Sequence, residues 1–560
     1  MTNLHTTMAT LRDRIAAGRW LTTVLLRSGF LTALRPDRYL QMGLALRRHG
    51  GASPVSGIGL AAARTPHTTA LIDDAGQLTW GELDQHVDAF AAAVAAMPGP
   101  PIRTLAVLCR NHRHLVETLT AGTRLGIDTI LLNTGFAAPQ LTDVLDREGA
   151  DLIVADDEFA DLVATAARRC PTLRYVRAWP ETIVPTMDTV GTVDDLIAAH
   201  LGERAPRPER AGRIVLLTSG TTGTPKGARR GGSTDVSSLA AILDRIPWRA
   251  GESTVIAAPA FHAWGFGQVA IAATMTSTMI MQRRFDPADT LDLVRRHGAT
   301  GLAVVPVMLE RIMDLPDDEL DLRPISTLRF VTASGSRMRT DALLAFMNRF
   351  GDVVYNSYNA TEAGLISTAT PSDLRAAPDT AGRPLTGTSI RILDDTDHEL
   401  PVGEIGKIVV ANNSGFDGYT SDDTKAFADG YMVSGDVGRF DDQGRLFVVG
   451  RDDEMIVSGG ENVYPLEVEQ VIGELDVVTE VAVLGVDDDR FGQRLAAYVV
   501  RAPHAVIGAD QIREHVREQL AGFKVPRDVY FLDELPRNAT GKILTRELLS
   551  PTAQSERKVS

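Results

Sequence analysis

Cysteine is scarce in this sequence. Its 560 residues include two, Cys109 and Cys170, and neither belongs to a Cys-x-x-Cys pair. We therefore expect neither a disulfide framework nor a paired-cysteine zinc site. Both thiols are expected to be buried as small apolar groups. Such sparse cysteine usage is typical of a reducing, cytoplasmic environment.

The sequence also lacks an excess of positive charge. The formal net charge is −15, with 44% hydrophobic and 23% charged residues. Nucleic-acid binding needs basic patches that neutralise phosphates, so we expect no nucleic-acid partner. The composition is that of an ordinary soluble globular protein. The length favours two or more domains over a single core.

The first fifty residues depart from this acidic average. They hold eight arginines against two aspartates, with short apolar groups between them. Arg27 interrupts the longest apolar run, which is too short for a signal peptide or a transmembrane helix. Two interpretations of residues 1–50 stay open: peripheral contact with the anionic inner face of a membrane, or a helix packed on the protein's own body. A homodimer also stays open.

Apolar runs typical of strands alternate with helical patterns along most of the chain. Thr104–Leu108, Leu152–Ala155 and Thr254–Ala257 are predicted strands, and Leu83–Met97 is a predicted amphipathic helix. This alternation predicts parallel α/β layers. After Gly450 comes a charged break, and the shorter stretch beyond it has strands and a helix of its own. We expect that stretch to form a small α+β domain.

A loop rich in small and hydroxyl-bearing residues follows the predicted strand Ile214–Leu217. It runs from Thr218 to Gly227, with Lys226 near its end. Small residues let backbone N–H groups turn toward an anion, and the hydroxyls and the lysine add donors, so the loop predicts a phosphate cradle. Pro225 before the lysine and a glycine after it exclude a Walker A loop. The candidate phosphate-binding residues are Thr218, Ser219, Gly220, Thr221, Thr222, Gly223 and Lys226.

This loop resembles the signature loop of the adenylate-forming superfamily, which includes acyl-CoA ligases, luciferases and nonribosomal adenylation domains. Further matches follow in the family's order, and the chain looks most like actinobacterial fatty-acyl-CoA ligases. The resemblance implies an α/β fold: a large N-terminal domain of layered sheets and helices, and a small, mobile α+β C-terminal domain. The implied segments are an Arg-rich extension (1–55), an adenylation domain (56–450), a hinge (451–453), a C-terminal domain (454–550) and a tail (551–560).

The motif Tyr358-Asn-Ala-Thr-Glu362 resembles the family's Tyr-Gly-x-Thr-Glu motif. The resemblance implies that Tyr358 stacks on adenine and that Glu362 holds Mg²⁺, an ion that prefers carboxylate and phosphate oxygens. Asn359 replaces the usual glycine, and we expect its side chain to crowd the edge of the nucleotide. The segment Val331–Met338 matches the one that lines the adenine and acyl pocket in relatives. Further nucleotide-site candidates are Ser334, Gly335, Ser336, Asn356 and Thr361.

Motifs in the last part of the chain complete the resemblance. Ser434-Gly-Asp436 resembles the motif whose aspartate bonds the ribose hydroxyls, and Arg451 matches an arginine that contacts the ribose. Two positions later, Asp453 matches the hinge residue. Ser458-Gly459 belongs to a loop that relatives swing toward the active site for the second half-reaction. The final motif implies that Lys542 bridges the substrate carboxylate and the α-phosphate.

The implied reaction is attack of a carboxylate on the α-phosphate of ATP, which gives acyl-AMP and pyrophosphate, followed by transfer to a thiol. Because the first step brings anions together, positioning and charge neutralisation are the main tasks. The catalytic candidates are Lys542, Glu362, His262 and Thr221, with Thr221 as a second Mg²⁺ contact. We expect His262 to orient the carboxylate or line the pocket entrance; the alternative is a structural histidine. Rotation of the C-terminal domain about Asp453 would withdraw Lys542 for the second step.

The segment from Pro259 to Met281 bears on the choice of acid. It contains no Asp or Glu, whereas amino-acid-activating relatives place an aspartate there to hold the substrate ammonium. This favours an acid without an α-amino group, and the resemblance to actinobacterial fatty-acyl-CoA ligases implies a medium- or long-chain fatty acid. Relatives that load carrier proteins typically have an extra insertion before the hinge; none is visible between Gly387 and Gly406, so we expect CoA as the thiol. A carrier-protein acceptor, an aryl acid and an inactive acyl- or nucleotide-binding regulator stay as alternatives. The predicted cofactors are ATP, Mg²⁺ and CoA.

Overall fold

The computed structural model describes residues 16–31, 36–181, 187–218, 226–230, 236–412, 416–420, 424–458, 461–488, 492–538 and 541–549. The chain forms two compact units. The large unit consists of Met1–Pro378, Leu385–Thr388 and Asn412–Lys425. The small unit consists of Asp379–Pro384, Ser389–Ala411 and Ala426–Ser560. The small unit therefore includes residues that precede the break after Gly450, and the predicted hinge at 451–453 stays a prediction.

A mostly parallel sheet in the large unit leads into several of the candidate residues. Its central strands run parallel, and a strand toward each side runs antiparallel to its neighbour. Central strands such as Gly301–Val304 and Phe330–Ala333 are buried along their whole length, as expected for a sheet covered on both faces. In order across the sheet, the strands of this unit are Gly364–Ala369, Val354–Ala360, Phe330–Ala333, Gly301–Val304, Ser253–Ile256, Thr278–Met281, Thr69–Asp73 and Gly76–Thr79.

The second sheet of the large unit has eight strands. It is parallel except at one side, where two antiparallel strands are added. Thr104–Leu108 and Leu152–Ala155 have the bounds that the sequence predicts. In order, the strands are Phe416–Tyr419, Lys226–Arg230, Ile214–Thr218, Asp128–Leu131, Thr104–Leu108, Leu152–Ala155, Arg174–Arg177 and Gly191–Thr192.

Alternate side chains of the sheets enter different apolar cores. Leu105 and Val107 belong to a core that the two sheets share, whereas Ala106 and Leu108 belong to a core on the outer face of the second sheet. Side chains of the first sheet likewise belong either to the shared core or to a third apolar core on the other face of that sheet. Helices cover these faces, so the large unit has the layered α/β architecture that was predicted.

The predicted helix at Leu83–Met97 is confirmed as Trp80–Ala96. It begins at a capping box: the Thr79 hydroxyl accepts from the Glu82 N–H, and the Glu82 carboxylate accepts from the Thr79 N–H. Residues 16–27 are also helical. The other helices of the large unit are Pro36–Arg48, Gly57–Arg64, Arg113–Leu125, Ala138–Arg147, Asp157–Phe159 (3-10), Ala160–Ala167, Val193–Ala199, Val236–Arg245, Ala263–Thr274, Pro287–His297, Pro306–Met313, Asp317–Asp321, Thr340–Phe350 and Pro371–Ala376.

The helix Arg113–Leu125 is buried along most of its length and carries charged side chains into the core. Glu117 accepts from His86 Nδ1 at 2.8 Å and from His114 Nδ1 at 2.7 Å. Arg124 donates to Asp88 at 2.6 Å. These contacts matter because an unpaired buried charge costs several kcal/mol, so the core tolerates this helix only with its partners in place.

The arginine-rich N-terminal segment packs on the large unit where the structure describes it. Val24 and Leu25 are buried in the shared core, and Arg27 donates to Asp244 at 3.0 Å. Residues 16–31 therefore follow the packed interpretation; residues 1–15 lie outside the described ranges. Within those ranges, we find no helix whose length and apolar character would let it cross a membrane. Cys109 is buried as expected, whereas Cys170 is partly exposed.

Two five-stranded sheets form the small unit. The stretch after Gly450 contains strands and helices, as predicted. The first sheet contains Ser389–Leu393, Gly406–Ala411, Tyr431–Phe440, Phe427–Ala428 and Leu446–Arg451. The second contains Glu461–Val463, Ile456–Ser458, Gly492–Arg501, Val478–Asp488 and Asp528–Leu532. The remaining elements are the short strand Arg383–Pro384, the helices Pro465–Gly473, Ala509–Gln519 and Thr545–Leu548, and the 3-10 helices Asp452–Glu454 and Gly522–Lys524.

The buried pair of His114 and Glu117 predicts a loss of stability at alkaline pH. Burial acts to lower the pKa of His114, but hydrogen bonds with Asp194 and Glu117 outweigh it and raise the pKa to about 9. The pKa of His114 in the folded protein lies above its ordinary value of 6.5. Its charged form therefore stabilises the fold fully below pH 6.5, and this stabilisation is lost as pH rises through about 9. We expect the free energy of unfolding to fall by about 1–3 kcal/mol from pH 7 to pH 10.

Urea denaturation across that pH range measures the effect. The variant His114→Gln keeps a polar side chain beside Glu117 but cannot be charged, so its unfolding free energy should depend less steeply on pH. If the unfolding free energy of this variant fell as steeply at alkaline pH as that of the wild type, the effect could not be assigned to His114.

Candidate active site

The candidate residues of the first sheet lie where parallel strands end. Three of its parallel strands each lead into a candidate residue: Ser253–Ile256 into His262, Phe330–Ala333 into Ser334, and Val354–Ala360 into Glu362. The carboxyl ends of parallel strands share one edge of a sheet, and ligands of open α/β sheets bind at that edge. The topology therefore gathers residues that are far apart in sequence.

Glu362 lies in the turn of a hairpin. The strand Val354–Ala360 pairs with Gly364–Ala369, and Ala360 lies opposite Gly364 at the turn. The Glu362 side chain is largely buried and accepts a hydrogen bond from the Tyr419 hydroxyl. Lys425 Nζ lies 3.8 Å from the same carboxylate oxygen. The Tyr419 hydroxyl and the Lys425 ammonium thus help to offset the burial of this carboxylate.

Tyr419 connects Glu362 to the end of the phosphate loop. Its strand, Phe416–Tyr419, pairs with Lys226–Arg230, and Tyr419 lies opposite Ala228. The N–H of Thr420 donates to the Gly227 carbonyl at 2.7 Å. Lys226 Nζ lies 5.9 Å from the centre of the Tyr419 ring. One tyrosine therefore contacts the predicted metal-binding glutamate through its hydroxyl and the predicted phosphate-binding lysine through its ring.

The phosphate loop joins two paired strands. Thr218 ends the strand Ile214–Thr218 and lies opposite Lys226 in the register of the hairpin. The predicted residues between them lie outside the described residues: Ser219, Gly220, Thr221, Thr222 and Gly223. The structure therefore fixes where the loop starts and ends, at the two strand positions that flank it.

Asn359, the departure from the family motif, has a specific partner. The Ser334 hydroxyl donates to Asn359 Oδ1 at 2.6 Å. Asn359 is not among the non-glycine residues with positive φ, whereas Gly335 has φ +110° and so favours glycine. The asparagine is thus accommodated without backbone strain, and its crowding of a nucleotide stays a prediction. The other candidates of this region are all partly buried: Ser336, Asn356, Tyr358 and Thr361.

His262 lies at the N-terminus of the helix Ala263–Thr274 and makes no side-chain cap bond there. Burial lowers the pKa of His262 to about 4, so the ring is neutral at physiological pH. The ring packs on Phe261, with centroids 4.6 Å apart. Its Nε2 atom is buried and has no hydrogen-bond partner among the described residues. Because His262 also follows the carboxyl end of the strand Ser253–Ile256, this nitrogen is a candidate for contact with a ligand.

Asn111 fixes the segment that leads into His262, and no motif in the sequence points to this residue. Its buried amide donates to the carbonyls of Ile256 at 3.1 Å and Ala258 at 2.9 Å, and it accepts from the Ala260 N–H at 2.8 Å. A long-range contact of this kind has no local motif. Asn111 therefore holds the backbone of the segment that precedes His262.

Close packing holds the start of the same helix. A Cβ on Gly265 would lie 2.3 Å from the Pro259 carbonyl oxygen, so only glycine fits there. One residue earlier, the indole N–H of Trp264 donates to the Val304 carbonyl at 2.8 Å. This bond anchors Trp264 to the neighbouring strand of the sheet.

The predicted ribose-binding residues meet in the small unit. Asp436 and Arg451 lie opposite each other on paired strands, and Arg451 contacts the Asp436 carboxylate at 3.4 Å. Gly435 has φ +88°, which favours glycine. The Ser434 hydroxyl accepts from the Asp436 N–H and donates to the Ile408 carbonyl. The Ser-Gly-Asp motif thus forms a bonded turn that holds its aspartate beside the arginine.

Two other predicted residues of the small unit belong to short secondary-structure elements. Asp453 belongs to the 3-10 helix Asp452–Glu454 that follows Arg451. Ser458 ends a strand and lies opposite Glu461; Gly459, between them, lies outside the described residues. The role of Ser458 and Gly459 in a moving loop stays a prediction.

Lys542 is exposed, and its backbone is held in a tight turn. Its N–H donates to the Asn538 side chain at 2.9 Å, and its carbonyl accepts from the Asn538 N–H at 2.9 Å. Gly541, with φ +79°, completes the turn, and its carbonyl accepts from Arg537 at 2.7 Å. The Lys542 backbone is therefore held by hydrogen bonds, while its side chain is exposed.

A second cluster, of Cys109, His112 and Asp156, has the spacing of metal ligands: its ligand atoms lie within 4.8 Å of one another. However, His112 Nδ1 accepts from the His114 N–H at 3.2 Å, which leaves the ring proton on Nε2 to bond Asp156 at 2.8 Å. Burial also raises the pKa of the Cys109 thiol well above its usual range. A metal would need His112 Nε2 and the Cys109 sulfur without their protons. Because both atoms keep their protons here, this cluster is structural.

Comparison with known proteins agrees with this geometry. The family model described as "AMP-binding enzyme" matches residues 60–420, and the one described as "AMP-binding enzyme C-terminal domain" matches residues 467–542. A Mycobacterium tuberculosis protein named as a CoA ligase for a methyl-dioxo-octahydro-indenyl propanoyl group is 33% identical over 503 residues, covering 86% of this chain and 96% of that protein.

Two further relatives differ in the acid that their names give. The fatty acid–acyl-carrier-protein ligase ScoC of Streptomyces coeruleorubidus is 30% identical, covering 86% of this chain and 93% of its own. The o-succinylbenzoate CoA synthetase of Bacillus subtilis, solved with an acyl-adenylate intermediate, has a TM-score of 0.74 at 27% identity, covering 88% of this chain and 98% of its own. This chain belongs to the AMP-binding enzyme family, the adenylate-forming superfamily that its motifs resemble.

Proposed function

We propose that this protein uses ATP to convert a carboxylic acid to an acyl adenylate and then transfers the acyl group to the thiol of CoA. One observation carries the proposal: Tyr419 holds Glu362 through its hydroxyl and packs Lys226 against its ring. A carboxylate for a cation and a lysine for phosphate therefore lie beside the same side chain. The relatives named above, which are acid–thiol ligases by name, support the same reaction class.

In the first step, the carboxylate of the acid attacks the α-phosphate and pyrophosphate leaves. Lys226 and the loop before it would bind the phosphates of ATP. Lys542, exposed on its ordered turn, would neutralise charge between the carboxylate and the α-phosphate. Glu362 fits a Mg²⁺ ion, which commonly takes one or two carboxylates together with phosphate oxygens. When bound, that ion would supply further neutralisation of the phosphates.

His262 would bind the acid as a neutral donor. Because burial lowers its pKa to about 4, the imidazole offers a hydrogen bond and carries no charge at neutral pH. The buried Nε2 atom without a partner among the described residues favours this role over a purely structural histidine. Asn111 keeps the ring in place through its bonds to the preceding segment.

Residues of the small unit would serve the nucleotide and the second step. Asp436 and Arg451 would bond the ribose hydroxyls. Asp453 would act as the hinge residue, and the segment of Ser458 and Gly459 would approach the active site when the thiol attacks. Motion of this kind separates two half-reactions that need different residues in one site.

For the acid, we propose a medium- or long-chain fatty acid. The helix Ala263–Thr274 follows His262 and has no acidic residue to hold an amino-acid ammonium. Its buried side chains are mostly apolar, which suits an alkyl chain. An aryl acid is the alternative, because a relative named for succinylbenzoate has the same fold. A carrier protein is the alternative acceptor, as in the name of ScoC.

Replacing Lys542 separates the two half-reactions. We expect Lys542→Ala to lower acyl-AMP formation by about a thousandfold or more, because one preorganised charge at the reacting phosphate is lost. Thioester formation from preformed acyl-AMP should change little. The control Lys407→Ala, which removes a lysine paired with Asp395 in the same unit, should retain both activities. Equal loss of both half-reactions in Lys542→Ala would contradict the role.

Replacing Tyr419 tests the observation that carries the proposal. Tyr419→Phe keeps the ring beside Lys226 and removes the donor to Glu362, so we expect kcat for pyrophosphate release to fall about tenfold to a hundredfold. Tyr431→Phe is the matched control, since its hydroxyl contacts Ser389 at 3.0 Å at an exposed position. Full activity of Tyr419→Phe would show that Glu362 needs no positioning by the tyrosine.

The acid and the acceptor are tested by substrate panels. Pyrophosphate release should be fastest with medium or long fatty acids, slower with aryl acids and absent with amino acids. Parallel thioester assays with CoA and with a holo-carrier protein should favour CoA. Faster pyrophosphate release with aryl acids would contradict the proposed fatty acid, and transfer to the carrier protein alone would contradict CoA as the acceptor. Neither result would affect the proposed adenylation step.

A further inference from the structure

The helix Pro36–Arg48 differs from the other helical segment of the arginine-rich N-terminus. None of its thirteen residues is buried. Its inner side, which includes Met42, Ala45 and Leu46, is only partly covered. Residues 16–31, by contrast, place Val24 and Leu25 in the shared core. The structure therefore separates a docked part of the N-terminus from a part that lies on the surface.

The outer side of this helix is both apolar and basic. Leu40 is 66% exposed and Leu44 is 56% exposed. They are four residues apart and so lie on one face, which Arg47 and Arg48 continue one turn further. Both arginines are exposed. An apolar stripe that ends in arginines is typical of helices that lie in the plane of a membrane surface.

A hydrogen bond from the inner side of this helix reaches the large unit. Arg38 donates to the Ala63 carbonyl at 2.9 Å, near the C-terminal end of the helix Gly57–Arg64. The exposed helix is therefore attached to the large unit through its inner side, while its outer side stays accessible.

Charge decides which occupant fits the surface. Residues 1–50 carry eight arginines and two aspartates, whereas the whole chain has a net charge of −15. An anionic phospholipid surface would repel most of the protein and attract this end, and it accepts leucines into its acyl region and guanidinium groups among its phosphates. A second copy of the chain would place arginines against arginines. We propose that the helix Pro36–Arg48 binds the surface of anionic membranes through Leu40, Leu44, Arg47 and Arg48.

Vesicle flotation of the full chain tests this proposal. We expect binding to phosphatidylcholine vesicles with about 30% phosphatidylglycerol, little binding to pure phosphatidylcholine, and at least about tenfold weaker binding when salt rises from about 0.05 M to 0.5 M. The double variant Leu40→Asp/Leu44→Asp should lower binding to the anionic vesicles by at least about tenfold. Its thermal unfolding midpoint and its acyl-AMP formation without vesicles should stay unchanged.

The matched control makes the same chemical change elsewhere on the large unit. Leu201 and Leu322 are 59% and 75% exposed, so Leu201→Asp/Leu322→Asp adds the same charge and should keep vesicle binding. Equal loss in this control would assign the effect to net charge alone and overturn the proposal. So would a wild-type chain that leaves both vesicle types unbound, or light scattering that shows Leu40→Asp/Leu44→Asp splitting a dimer.

Discussion

Parallel strands impose the constraint on which the rest of the large unit depends: their carboxyl ends meet at one edge of a sheet. His262, Ser334 and Glu362 follow different strands of the first sheet and reach that edge together. The second sheet contributes through its antiparallel side, where Tyr419 and Lys226 lie on paired strands. The site is thus a property of topology, and each side chain needs only a short extension from a strand whose position the core already fixes.

The core that fixes these strands contains charge. The helix Arg113–Leu125 brings Glu117 and Arg124 among apolar side chains, and both depend on partners from elsewhere in the large unit. Two residues before this helix, Asn111 bonds the segment that leads to His262. Stability of the interior and placement of a site residue are therefore linked over a short stretch of chain, so damage to the helix should also displace the imidazole.

Secondary structure that depends on a short run of residues can be predicted from the sequence. The strands Thr104–Leu108 and Leu152–Ala155 are continuous apolar runs, and their bounds were predicted correctly. Family motifs pointed to Glu362 and to the pair of Asp436 and Arg451. Tyr419 was missed because its partner is 57 positions away, and single long-range hydrogen bonds leave no periodic or motif signal. Asn111 was missed for the same reason, and the partial exposure of Cys170 depends on packing that composition does not encode.

The bond between Ser334 and Asn359 has a consequence for substitutions at this site. Each side chain supplies a hydrogen-bond partner of the other, so the two positions are coupled. Glycine at 359 would leave the buried Ser334 hydroxyl without this acceptor, and loss of the hydroxyl at 334 would leave an amide oxygen without this donor. The cost of changing either residue therefore depends on which residue occupies the other position.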